Sequence, residues 1–439
     1  MNNYMISNPK YNINAMRIGW YSDKYFLRTQ EILMKDKYNQ SVHYQYFPRK
    51  NVTVCGLDHV LEIYKQCTGY YSDRERAWEL FCEFQKINPY CCDELDINKF
   101  FNLNLELNDL WVNKYDEIIY NSLDEATFTK NMEPCIGIIG NPKYFSHLET
   151  PTLGILAQES AVATSVKDAV EAIGPDRNLL FFPARFRHYA SQAPDGYAAG
   201  VAGVKAMSTD SNGEYWGYNG IGTIPHLLIA AYGGDTPKAA LKFDEMIDPN
   251  VDRVILVDWD NDCIGTTIRT VAAFLSKLEY SKYYQESSKQ DLDVIDLLKD
   301  ADKCRYFVRN HRHVIKNVIG KGKGKIFGVR FDTSGSLIDK SLPKLKENFG
   351  VCPQLVFEAR RIFDELGMED LKIFVSGGFD LEKIEYFNKF EAPYDMIGIG
   401  SSIVNKFHSD FTADAVMLDN EPNAKIGREL QSWRKLILR

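Results

Sequence analysis

The chain has 439 residues, 45% of them hydrophobic and 26% charged, with a formal net charge of −8 at pH 7 and a pI near 5.6. That length buries a sizeable core and accommodates two or three domains, or one large barrel with a smaller companion. The acidic balance argues against a general nucleic-acid binder, which needs a basic face to release counterions. No apolar run approaches the roughly 20 residues that span a bilayer, so the expected partners are small molecules.

The N-terminus, MNNYMISNPKYNINAMRIGWY, lacks the charged-then-apolar layout of a signal peptide, and a cytoplasmic chain is expected. Nine cysteines without a CxxC pair, Cys91 and Cys92 adjacent, read as scattered reduced thiols; no structural metal is expected. Residues 1–150 are rich in Tyr and Asn and are read as a separate N-terminal α/β domain. Within them FNLNLELNDL alternates strictly, which predicts a strand with Phe101, Leu103, Leu105 and Leu107 on one face.

From about Leu179 short β-rich runs alternate with helical stretches, which predicts an irregular β/α barrel over 151–402. NLLFFPARF is the first strand. The stretch FFPARFRHYA then concentrates Phe182, Arg185, Arg187 and His188 at a strand end, where an aromatic ring beside a guanidinium suits a flat anionic ring; arginines scattered on a surface strand are the alternative. GIGTIPHLL sets Thr223 and His226 at a helix start, leaving His226 open as a core residue, a metal ligand or a nucleophile facing an anion. DRVILVDWD is a further strand, followed by the helical IGTTIRTVAAFLSKL. The histidines of HRH, His311 to His313, have no HExxH or Cys partner and read as surface. NVIGKGKGK, with Lys321, Lys323 and Lys325, lacks the GxxxxGK[ST] order and reads as a solvated loop.

FGVRFDTSGS places Arg330 and Asp332 on one face at a strand's C-terminal end, where barrel enzymes keep reactive groups; a structural ion pair is the alternative. The stretches IFVSGGFDLEKI and YDMIGIGSSIV each run from strand through Gly and Ser into a helix. Ser376, Gly377, Gly378, Gly398, Gly400 and Ser401 there predict a phosphate cradle, against the alternative of two ordinary tight turns. After Ser402 the βα repeat ends, and residues 403–439 are expected to pack back on the first domain.

Taken in order, LETPTLGILAQESA, FFPARFRH, GTIPH, VILVD, VRFDT, VSGGFD and APYDMIGIGSS, with YFLRT near the N-terminus, resemble the nicotinate phosphoribosyltransferase family. The resemblance runs from about Leu148 to Ser402 and does not reach across 30–147. It departs at Pro183, where many relatives have Gly, and at DTSGS, a variant of the more common Asp-Ser-Gly form. The resemblance implies an α/β domain on an irregular β/α barrel and a homodimer with sites at the interface. The implied substrates are nicotinate, phosphoribosyl pyrophosphate with Mg²⁺, and ATP as co-substrate. It implies that His226 is phosphorylated by ATP and that the glycine loops with Ser376 and Ser401 take the 5′-phosphate. Asp332, beside Arg330, would hold the ribose and Phe182 with Arg185 the pyridine, with His188 and Thr223 nearby. Tyr25 and Arg28 would come from the other subunit. Lys205 falls near a position where nicotinamide-using relatives carry an acid. A nicotinamide- or quinolinate-using transferase and a catalytically idle nucleotide-binding homologue are the competing readings; intact His226, Arg330 and Asp332 count against the last.

Overall fold

The computed structural model describes residues 11–87, 94–283, 300–431 and 437–438. Cys91 and Cys92 lie outside them, and the cysteines that are described are free thiols, most of them buried. None of the described helices is long and apolar enough to cross a membrane.

The first unit is built on an antiparallel sheet of six strands. Strands β1 (Val42–Pro48), β2 (Ile119–Ser122) and β3 (Ile136–Gly140) lie in the order β1-β3-β2. The other side of β1 pairs with Phe411–Leu418, so a segment from beyond the barrel completes this sheet. Tyr46, Ile136, Ile138 and Ala413 meet in its core. Helix α1 (Lys24–Lys35) carries Tyr25 and Arg28, both exposed.

FNLNLELNDL, expected as a strand, is the C-terminal part of helix α2 (Glu94–Leu110). Leu103 and Leu107 are 6% and 0% exposed and pack on Leu80 and Phe81, whereas Phe101 and Leu105 are 58% and 60% exposed. Alternation by two also brings positions four apart onto one helix face, so the pattern that suggests a strand satisfies a helix with half its apolar residues.

Helix α3 (Glu149–Ile173) has 25 residues and so runs for about 37 Å. Leu156 in its first half belongs to the antiparallel-sheet core, while Val162, Val166 and Ile173 belong to the barrel core. One helix therefore enters both hydrophobic cores.

The barrel strands are β4 (Asn178–Phe181), β5 (Ala206–Met207), β6 (Val254–Leu256), β7 (Gly328–Phe331), β8 (Lys372–Val375) and β9 (Met396–Ile399). They pair in parallel in the order β6-β7-β8-β9-β4-β5, so the first strand sits beside the last, as a ring requires. Their runs of Val, Ile, Leu and Phe fit strands buried on both faces, under the crossover helices outside and against the packed interior of the ring. The ring's open edges, β5 and β6, are bridged by an irregular segment. Ile221 donates its N–H to the Met207 carbonyl at 2.8 Å, and Ile224 donates to the Val254 carbonyl at 3.0 Å. The fold is thus an irregular barrel, with one backbone bond on each side of the bridge completing it.

The helical reading of α2 has a direct test. Leu107→Ala empties a buried site and is expected to cost about 2–5 kcal/mol, whereas Leu105→Ala is expected to stay within about 0.5 kcal/mol. Urea unfolding of the two variants measures the difference; equal losses would restore the strand assignment.

Candidate active site

In a parallel barrel every strand delivers its C-terminal residue to the same end, where the loops are free to vary. Here that end is a cavity of about 550 Å³. β4 delivers Phe182 and Arg185, β7 Arg330 and Asp332, β8 Gly377 and Gly378, β9 Gly398, Gly400 and Ser401, and the bridging segment Thr223 and His226. Eleven of the residues singled out in the sequence therefore line one space.

His226 is the first residue of helix α4 (His226–Ala231). Its Nε2 lies 3.0 Å from the Asp258 Oδ1, and its ring is about half exposed. Asp258 sits just past the end of β6, and burial raises its carboxyl pKa, an effect the neighbouring His226 opposes. A carboxylate on Nε2 favours the tautomer protonated there and leaves Nδ1 as the nitrogen with the free lone pair.

Arg330 is largely buried, which lowers its guanidinium pKa, while Asp332 and Asp258 act to raise it. Its contact with Asp332 is long, 3.4 Å, and its Nε has no hydrogen-bond partner among the described residues. Asp332 is held in place by the Ser376 hydroxyl, which donates to Oδ1 at 2.8 Å. Ser376 itself is 1% exposed, so it supports Asp332 from behind and is absent from the cavity wall. Gly377 and Gly378 have φ of +90° and +70°, a left-handed turn that residues with a Cβ adopt at a cost. Lys383 Nζ donates to the Gly377 carbonyl at 2.8 Å, which pins that turn from the side of the following helix.

The structure alters the reading of two groups. A Cβ on Gly398 would lie 2.0 Å from the Phe182 ring, so this glycine makes room for the aromatic wall. The Arg185 guanidinium lies over Phe186, 5.2 Å from its centroid, so Phe186 takes the neighbouring role that the sequence suggested for Phe182.

Besides Ser376, the expected Tyr25, Arg28, His188 and Lys205 also lie off the cavity wall. Tyr25 and Arg28 are exposed on α1. His188 is exposed, its Nδ1 accepting the Ala190 N–H at 3.2 Å. Lys205 is exposed just before β5, at the N-terminal end of that strand and so at the opposite end of the barrel. The lysine-rich run also turns away from the cavity: Lys323 donates to the Glu245 carbonyl and Lys321 lies 3.6 Å from Asp252. Asp258 and Phe186 were not singled out in the sequence. The acid at the end of the VILVD strand was the available signal for Asp258, since reactive groups gather at such ends.

No family model matches the chain. Solved structures share its fold. Against nicotinate-nucleotide pyrophosphorylase from Pyrococcus furiosus the TM-score is 0.61 at 22% identity, covering 98% of this chain and 82% of that one. For nicotinate-nucleotide pyrophosphorylase from Ehrlichia chaffeensis the TM-score is 0.52 at 15% identity, covering 94% and 99%. Human nicotinic acid phosphoribosyltransferase gives 0.51 at 16% identity, covering 92% and 76%.

Gly398→Ala is expected to force Phe182 off its packed position and lower stability by about 1–3 kcal/mol. Thermal unfolding measures it, and an unchanged midpoint would show that the ring yields freely.

Proposed function

We propose that the chain is a nicotinate phosphoribosyltransferase that forms nicotinate mononucleotide and pyrophosphate from nicotinate and phosphoribosyl pyrophosphate, coupled to ATP hydrolysis. The observation that carries this reading is the convergence, in one cavity, of a glycine turn, an Arg–Asp pair, an arginine over an aromatic ring and a carboxylate-held histidine. The names of the structures that share the fold support the same chemistry.

In the transfer, the pyridine nitrogen forms a bond to ribose C1 as the bond from C1 to pyrophosphate breaks, and the electron pair leaves with the pyrophosphate. Positive charge grows on the ribose, so the site must hold the two reactants in line and steady the charges that develop. Asp332, fixed by Ser376, is placed to hold the ribose hydroxyls and face that positive charge. The Gly377–Gly378 turn, with Gly400 and Ser401 across the cavity, offers backbone N–H groups to the 5′-phosphate. Arg330, with a buried donor to spare, suits the pyrophosphate oxygens. Mg²⁺ would enter bound to the substrate phosphates and draw charge from the leaving group; Asp332, on the cavity wall, is the carboxylate suited to face it.

Arg185 has no carboxylate partner among the described residues, so it is available to a ligand carboxylate, with Phe186 beneath it and Phe182 as the wall. One free arginine fits a pyridine with one carboxylate better than quinolinate with two. For ATP coupling, His226 Nδ1 attacks the γ-phosphorus, the bond to ADP breaks, and water later releases phosphate from the histidine.

Pyrophosphate release tests the reading: nicotinate with phosphoribosyl pyrophosphate is expected to be turned over, and silence with tight nucleotide binding would replace the enzyme with a sensor. His226→Asn is expected to abolish ATP hydrolysis and keep slow ATP-independent transfer; full coupling in that variant would remove the phosphohistidine. Nicotinate is expected to exceed nicotinamide and quinolinate by at least about tenfold in kcat/KM, or roughly 1.4 kcal/mol. Arg185→Gln is expected to lose that preference, and competition with the pyridines at equal concentration reads both outcomes.

A further inference from the structure

The peptide unit between Gly377 and Gly378 has two orientations open to it. Glycine accepts either sign of φ, so turning this unit over costs its flanking residues little. The turn-over exchanges an N–H for a carbonyl oxygen on the cavity side. An N–H there attracts a phosphate and a carbonyl repels one, so the anion affinity of the turn depends on which orientation is held.

One orientation is held from behind. Lys383 lies in helix α5 (Leu381–Lys389) and is absent from the cavity wall. Its Nζ donates to the Gly377 carbonyl at 2.8 Å and sits 4.4 Å from the centroid of the Phe379 ring. A trans peptide points its C=O and N–H in opposite directions, so the Gly378 N–H is directed away from Lys383. That N–H has no backbone acceptor among the described residues, and Gly378 itself is exposed on the cavity wall. The carbonyl of Phe379 is occupied in the same manner, by the Ser402 hydroxyl at 2.6 Å.

The acid nearest to Lys383 in sequence is engaged elsewhere. Asp380 caps α5 by accepting the Lys383 backbone N–H at 2.9 Å, and its other oxygen pairs with Lys406. The cap fixes the start of the helix and with it the reach of the lysine. Lys383 forms no ion pair among the described residues, so its charge acts on the peptide it holds, and a cation on the carbonyl end polarises the N–H at the other end toward donation.

We propose that Lys383 is a positioning residue: it selects the orientation of the Gly377–Gly378 peptide that turns the Gly378 N–H toward a bound phosphate, without touching that phosphate itself. The inference rests on the reading of this turn as the 5′-phosphate site.

Ribose 5-phosphate is the probe and ribose its phosphate-free counterpart, each titrated calorimetrically into the full-length chain. Lys383→Met is expected to weaken ribose 5-phosphate binding at least about tenfold, whereas Lys383→Arg, which keeps a donor for the carbonyl, is expected to stay within about threefold of wild type. Lys383→Gln, polar but one atom shorter, repeats the test should the methionine variant fail to fold. In turnover, the KM for phosphoribosyl pyrophosphate is expected to rise at least about tenfold in Lys383→Met with kcat within about twofold, the signature of lost uniform binding. Gly378→Val separates the inference from the reading beneath it. Loss of binding in Gly378→Val with wild-type affinity in Lys383→Met and Lys383→Gln would overturn the role of Lys383 and leave the phosphate turn standing. Unchanged binding in Gly378→Val would remove both, and a fall in kcat at constant KM would place Lys383 in the chemistry instead of behind the turn.

Discussion

The barrel depends on a bridge that is not a strand. Between β5 and β6 the sheet has no ladder, and two backbone bonds from Ile221 and Ile224 hold the ring together. Pro225 follows at once, lacking an N–H to continue a ladder, and the chain turns into α4 with His226 as its first residue. The bond from Ile224 to Val254 ties this segment to β6, the strand whose end presents Asp258. The contact between His226 and Asp258 is therefore a consequence of ring closure: the bonds that close the barrel also set the histidine opposite its carboxylate.

That dependence explains why a half-exposed histidine can have a defined orientation. An exposed imidazole normally samples several rotamers. One hydrogen bond to a charged group contributes about 1.5–3 kcal/mol, enough to select one of them. Asp258 accepts the bond while itself largely buried and close to Asp332, whose charge adds to the rise of its pKa. In the proposed reaction the imidazole gains positive charge as it takes the phosphoryl group, and a carboxylate already aligned on Nε2 stabilises that state more than the resting one.

Much of this arrangement was legible in the sequence. Each apolar run ended in the residues that line the cavity, and a parallel barrel sends all those ends one way, so order along the chain translated into convergence in space. What the sequence lacked was side-chain direction. Arg185 is flanked by Phe182 and Phe186, and spacing alone does not say which ring it covers; the turn after β4 selects Phe186. Gly398 carries the same residue type as Gly378 for an unrelated reason, the approach of the Phe182 ring. In FNLNLELNDL the period-two pattern matched a strand, yet Leu103 and Leu107 bury equally well from a helix, and the neighbouring Leu80 and Phe81 supply a helical partner. Lys205 lay near the right sequence position but before its strand rather than after it, which in a barrel is the difference between one end and the other.

The chain from 182 to 194 separates two cavities of opposite polarity. Its first residues face a space walled by Arg185 and Arg330, and its last, Ala190, Ala193 and Pro194, face one whose wall carries Glu159 and Glu214. A strut runs between them: Arg187 pairs with Asp195 at 2.9 Å, Gln158 donates to the same Asp195 oxygen at 3.0 Å, and Asp195 is 3% exposed. Gln158 itself lines the acidic cavity, and Arg187 also donates to the Val404 carbonyl beside β9. A charge pair this buried is costly to break, because either partner would be left unpaired in a medium of low dielectric. The strut therefore holds the Arg185 loop at a fixed distance from α3.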